Sequence, residues 1–223
     1  MLNEMMHRPI VMEKVVEFMR CEQRSFNGTL GEIEAFANER GIPVIPHETA
    51  VFLDFILSMK RPESILEIGT AIGFSASLMA QHLLPGGHLT TIDRYPKMFE
   101  RAKENFKKMG IQDQVTLIEG DAADVLPTLA GSYDVIFMDS AKAKYVDFLP
   151  HCLRLLSETG VLLIDDVFQG GTVLDDEVTI PKRVRTIHRK LNLLFETVHQ
   201  DPTIKSSLVP LGDGVLMIQK ISE

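Results

Sequence analysis

Four residues in the second half of the chain, Asp139, Lys142, Asp165 and Asp166, are of types that can hold a cation and move a proton. The aspartates follow two short apolar runs, Tyr133–Met138 and Val161–Ile164, of the kind that form buried strands. If those runs are neighbouring parallel strands, three carboxylates converge at one edge of a sheet, where without a partner they repel one another. A divalent cation resolves that repulsion, and an all-oxygen ligand set favours Mg²⁺, or Mn²⁺, over zinc. Read singly, each aspartate is a solvated turn residue or a helix N-cap. The grouping is what points to a metal.

A second constellation lies upstream. Ile65-Leu66-Glu67-Ile68-Gly69-Thr70-Ala71-Ile72-Gly73-Phe74-Ser75 reads as a buried strand, a glycine turn and a helix start. Gly69 lets a ligand approach the backbone, and Gly73 lets the next helix begin with its N–H groups facing that ligand. A plain strand-to-helix turn would look similar. Two carboxylates strengthen the ligand reading: Asp93, ending the run from His88, is placed for ribose hydroxyls, and Asp121, before Ala122, for an adenine amino group. A dinucleotide site wants G-x-G-x-x-G. Here the spacing is Gly69-x-x-x-Gly73 behind the acidic Glu67, which repels a pyrophosphate and suits a cationic ligand such as S-adenosylmethionine. The arrangement resembles class I methyltransferases.

The elements that must position these groups follow from pattern. The chain has 223 residues, 45% of them hydrophobic, and a formal charge of −8, the profile of one globular domain rather than a disordered or disulfide-built chain. Its acidity argues against coating nucleic acid non-specifically. Residues 1–60 read as helices: Val11, Val15, Phe18 and Met19 at helical spacing, a capping box at Thr29–Glu32 opening a helix to Arg40, and a third helix over His47–Met59. Residues 61–223 read as alternating strands and helices, hence a mostly parallel seven-stranded Rossmann-like α/β sheet. It ends in an antiparallel hairpin signalled by Asp213-Gly214. No apolar run is long enough to span a membrane, and no secretory pattern opens the chain. Cys21 and Cys152 read as buried or half-buried thiols, so the expected setting is a reducing cytoplasm. Methionines crowded near the N-terminus suit an adaptable apolar surface, and a homodimer through the helical segment is expected.

Taken together, LEIGTAIGFSA, the D-x-x-K-x-x-Y run at Asp139-Lys142-Tyr145, the pair Asp165-Asp166 and the terminal PLGDG resemble the cation-dependent O-methyltransferases related to catechol and caffeoyl-CoA O-methyltransferase, over about residues 27–220. The resemblance implies that Asp139, Asp165 and Asp166 bind the metal and that Lys142 is the general base. It also implies that Gly69, Ser75, Asp93 and Asp121-Ala122 contact the cofactor. Asp139 stands between the two sites and is assigned to both. One departure is Asp166, where the family usually has Asn. On this reading the metal lowers the pKa of a substrate hydroxyl, and Lys142, with a depressed pKa of its own, takes the proton before the oxyanion attacks the sulfonium methyl.

The substrate is read from Lys182, Arg183, Arg185, Arg189 and Lys190, a stretch with no acid in it. It is either a solvated helix face or a phosphate-binding patch. The Pro-Lys-Arg-x-Arg segment is similar to bacterial tRNA 5-hydroxyuridine methyltransferases, a branch of the same family. That likeness implies the wobble base of an anticodon loop as substrate, with O4 and O5 chelating a metal as a catechol does. A small catechol-like diol is the alternative.

Overall fold

The computed structural model of the chain describes residues 12–221. Three helices come first, α1 (Glu13–Glu22), α2 (Gly28–Arg40) and α3 (His47–Lys60). Then β1 (Ser64–Ile68), β2 (His88–Asp93), β3 (Val115–Glu119), β4 (Tyr133–Met138) and β5 (Leu156–Ile164) alternate with α4 (Phe74–Ala80), α5 (Pro96–Met109), α6 (Ala122–Val125) and α7 (Tyr145–Leu155). Helix α8 (Arg185–Gln200) and strands β6 (Ile204–Val209) and β7 (Val215–Lys220) complete the chain. The seven strands form one sheet in the order β3-β2-β1-β4-β5-β7-β6, parallel except for β7, which pairs antiparallel with both β5 and β6. This is the α/β architecture expected from the alternation.

Period-two alternation divides the core into two layers. Ile65, Leu89, Val135, Phe137 and Leu163 face helices α2 to α5, whereas Leu66, Ile68, Ile136, Met138, Leu162 and Ile164 face α7 and α8. Strand order reverses between β1 and β4, the place where open α/β sheets bind ligands at their carboxyl ends.

Several expectations are revised in detail. Helix α2 starts at Gly28 with Asn27 as N-cap and no side-chain cap, so Thr29 is inside the helix and no capping box forms. The stretch after Asp121 is one α-turn followed by a 3₁₀ turn over Leu126–Thr128, because Pro127 removes a backbone donor. Strand β5 begins five residues earlier than its apolar run. The hairpin closes Val209 against Val215, so Asp213-Gly214 ends a longer loop instead of making a two-residue turn. Cys152 is buried, with its thiol pushed up to about 12 by burial, but Cys21 is exposed. Val11 lies outside the described residues, and no helix among those described is long and apolar enough to cross a membrane.

Helix α1 has no buried residue and is tied down by charge. Arg20 Nε and Nη2 donate to the two Glu48 carboxylate oxygens at 2.7 and 2.9 Å. The Glu48 side chain is 1% exposed, while that of Arg20 is 51% exposed. Removing Arg20 strands a buried charge, whereas neutralising Glu48 does not. Arg20→Ala should therefore lower unfolding free energy by about 1–3 kcal/mol, the solvent-facing arginine holding the cost below that of a fully buried pair. Glu48→Gln should cost less, and urea denaturation of the two variants checks the order.

Candidate functional site

A cavity of about 590 Å³ opens at the carboxyl ends of β1, β2, β3, β4 and β5. Its wall is made of the turn after β1 (Gly69, Thr70, Ala71), Ser75 at the start of α4, Asp93, Asp121 and Ala122, and the carboxylates Asp139, Asp165 and Asp166. The lip Pro43–Pro46 before α3 closes one side. The two constellations read from the sequence thus share one chamber.

The glycines serve the fold before they serve a ligand. A Cβ on Gly69, whose φ is 110°, would lie 1.8 Å from the Asp139 carbonyl oxygen. One on Gly73, at φ 78°, would enter the Phe106 ring. Gly69 lines the cavity, but Gly73 does not, and its smallness is required by α5 packing behind it.

Glu67 is likewise behind the wall. Alternation along β1 turns it to the side of Ile65, under α4, where Ser75 and Thr91 both donate hydroxyl hydrogens to it and it is fully buried. Burial pushes its carboxyl up to about 7 against the pull of those two hydrogen bonds. It is therefore screened from the cavity, which it meets only through Ser75. Asp93 holds the turn open: one oxygen accepts from Thr70 N at 3.1 Å and Ala71 N at 2.8 Å, and the other from Tyr95 N at 2.9 Å. Asp121 caps α6 by accepting from Ala123 N, and its other oxygen pairs with Arg94 at 3.1 Å. The Ala123 hydrogen bond and then Arg94 keep its carboxyl below the usual range. The nominated adenine contact is thus already engaged as a helix cap. Arg94, with its guanidinium 5.2 Å from the Tyr95 ring centroid, is a rim residue that sequence reasoning missed, because a single arginine after a strand carries no pattern.

The carboxylate group is assembled only in part. Asp139 and Asp165 are held above the ordinary carboxylate range, at about 6 and about 8, by burial first and by one another or Asp166 next. Yet among the described residues no three acidic, His or Cys side chains stand close enough to hold a metal. The expected convergence stops short because Asp166, in a left-handed conformation at φ 60°, points its carboxylate at Lys142 Nζ, 3.1 Å away. Aspartate tolerates that backbone conformation better than most other side chains, so Asp166 suits the position. The donor types, though not yet their spacing, suit a hard cation: all are oxygens, and buried Asp165 Oδ1 has no hydrogen-bond partner among the described residues.

Lys142 departs furthest from expectation. It is not part of the cavity wall but is held between Asp166 and Asp213, the latter 3.2 Å away. Burial works against its charge, but the two carboxylates prevail and its pKa is raised, not depressed. Asp213 was legible as half of a turn signal and as part of the terminal PLGDG motif, with no role of its own. His47, at the start of α3, is packed, its Nδ1 2.7 Å from Glu34 Oε1 and its ring edge-on to Phe26.

Most of the basic segment is committed internally. Arg185 donates to the carbonyls of Ile180 and Val178, Arg189 pairs with Glu177, and Lys190 pairs with Asp147. With His188 and Asn192, Arg185 and Arg189 lie at helical spacing on α8 and strap down the loop between β5 and α8, while Lys190 reaches across to α7. Lys182 and Arg183 are exposed and have no ion-pair partner among the described residues. None of the five lines the cavity.

Raised carboxyls have a direct consequence for stability. Unfolded Asp and Glu titrate near 4, so between about pH 4 and 8 the native form binds more protons, and stability falls as pH rises through that window. In cation-free protein Asp165→Asn should therefore raise the melting temperature at pH 8 by about 3–6 °C and by far less near pH 4.5, as read by calorimetry.

The O-methyltransferase family profile matches residues 30–221. Tapetum-specific methyltransferase 1 of Arabidopsis thaliana is 27% identical over 195 residues, 85% of this chain and 82% of that protein. A catechol O-methyltransferase of Mycobacterium tuberculosis is 36% identical over 156 residues, 68% of this chain and 69% of that protein. The SAH-bound methyltransferase PaMTH1 of Podospora anserina superposes with a TM-score of 0.83 at 28% identity, covering 100% of this chain and 97% of that one. With the profile spanning the helical segment from α2 onward and the whole sheet, this chain belongs to the O-methyltransferase family.

Proposed function

We propose that the protein transfers a methyl group from S-adenosylmethionine to one hydroxyl of a small catechol-type diol, assisted by Mg²⁺ or Mn²⁺. The observation that carries this reading is that one cavity is lined both by the Gly69–Ala71 turn with Asp93 and Asp121 and by Asp139, Asp165 and Asp166. A small diol fits the space left beside a nucleoside-type ligand in a chamber of this size. The catechol O-methyltransferase of M. tuberculosis and the SAH-bound Podospora structure support the substrate class and the cofactor.

The cofactor, when bound, supplies an electrophilic methyl group on a sulfonium, and a divalent cation, when bound, lowers the pKa of a hydroxyl it touches. The chain's own residues do the rest. The buried acidic wall attracts the cationic cofactor. Asp93 shapes the turn that receives it, and the sheet edge fixes the direction of attack, so alignment is the main contribution. Lys142, as arranged, is a full cation that can stabilise a developing oxyanion. To accept a proton it must first lose one of its two carboxylate partners.

Exposed Lys182 and Arg183 favour a second reading, methylation of 5-hydroxyuridine in tRNA to 5-methoxyuridine, with the anticodon loop docking on them. The internal pairing of Arg185, Arg189 and Lys190 weakens it. The domain division at residue 60 and the homodimer remain part of the proposal, with α1 to α3 as the contributing face.

Two measurements test these readings. Mg²⁺ should raise the melting temperature by several degrees at pH 8 and by little at pH 5, where Asp139 and Asp165 are protonated. Asp139→Ala should remove that response and lower methyl transfer by about a hundredfold or more. Lys182→Glu with Arg183→Glu should leave catechol turnover within about twofold and, if tRNA is the substrate, lower tRNA turnover by about tenfold or more.

A further inference from the structure

The loop that follows β5 has an unusual backbone. Gln169, Gly170 and Gly171 are consecutively left-handed, at φ 52°, 62° and 83°. A run of this kind persists only where its surroundings hold it, and here the holder is the turn between β6 and β7. Val167 N donates to the Gly214 carbonyl at 3.1 Å, Phe168 N to the Asp213 carbonyl at 2.8 Å, and Gly170 N to Asp213 Oδ1 at 2.7 Å. The Phe168 ring fills the space where any side chain on Gly214 would stand. The second oxygen of the same aspartate accepts from Lys142 Nζ at 3.2 Å.

One carboxylate therefore joins three segments: the loop after β4, which carries Lys142; the loop after β5, which follows Asp165 and Asp166; and the terminal hairpin. Asp166 also touches Lys142, but it lines the cavity among the proposed cation ligands and cannot serve both a cation and the ammonium fully. Asp213 is absent from the cavity wall, and among the described residues its carboxylate has only Lys142 and the Gly170 amide to serve. We propose that Asp213 is a positioning residue for methyl transfer: its carboxylate fastens the Lys142 ammonium to the loop after β5 and so sets where that ammonium stands beside the cavity. The proposal rests on the methyl-transfer reading above, although the tether itself does not.

Two variants separate position from fold. Asp213→Asn keeps an oxygen for Gly170 N but offers Lys142 no charge. Asp213→Ala removes both bonds. With a catechol-type diol and S-adenosylmethionine, Asp213→Asn should lower kcat by about tenfold or more while both KM values stay within about twofold, the signature of a group that acts after binding. Its amide exchange over 167–174, read by mass spectrometry, should match wild type. Asp213→Ala should show at least the same loss in kcat and exchange about tenfold faster over that loop. A kcat for Asp213→Asn within about twofold of wild type overturns the proposal. So does an Asp213→Asn variant whose loop exchange and melting temperature fall as far as those of Asp213→Ala, since the role is then merely structural. If wild type methylates neither diols nor tRNA, the methyl-transfer reading fails, and the exchange arm still decides the tether: equal exchange in wild type and Asp213→Ala removes it.

Discussion

Negative charge held away from water at one edge of the sheet is the constraint on which the rest of this structure turns. Glu67 and Asp165 are buried and Asp139 is half-buried, and desolvation is the first cause that lifts each above its ordinary range. Such a cluster is tolerated only if something cationic answers it or if its members take up protons. The fold supplies partial answers: two hydroxyls for Glu67 and one ammonium for Asp166. Among the described residues Asp165 Oδ1 is left with none. That unanswered polarity is the ground for the cation proposed at this edge.

The same constraint explains why rigid elements surround it. Repelling groups stay together only if their backbones cannot separate, and here they sit at the ends of adjacent hydrogen-bonded strands, β1, β4 and β5. The glycines follow from that closeness. Gly69 lies so near the Asp139 carbonyl that a methyl group would part the two strands. Asp93, Asp121 and Asp213 each spend side-chain oxygens on backbone amides, so the loops on the sheet edge are held by carboxylates as much as by packing.

The helical segment and α8 have supporting parts. Arg20 and Glu48 fasten α1 to α3, whose preceding lip closes the cavity. On α8, Arg185, His188, Arg189 and Asn192 hold the loop between β5 and the helix. A run of cations that looks like a phosphate patch in one dimension is mostly a set of straps in three. Sequence spacing gives charge and periodicity, but which carbonyl or carboxylate lies opposite depends on segments far along the chain.

Alternating apolar runs and amphipathic stretches were sufficient to specify an α/β sheet with a terminal hairpin, and the residues after each strand were sufficient to name Asp93, Asp121, Asp139, Asp165 and Asp166 as wall groups. Period-two burial and short loops make those features local, so one dimension contains them. Only tertiary structure decided that Glu67 and Gly73 lie behind the wall, that Asp166 is turned to Lys142, and that Asp213 ties Lys142 to the hairpin. The protonation state of Lys142 was decided the same way. The direction of a pKa shift is a balance between burial and the charges opposite, and here burial is outweighed by Asp166 first and then by Asp213, a residue 71 positions away.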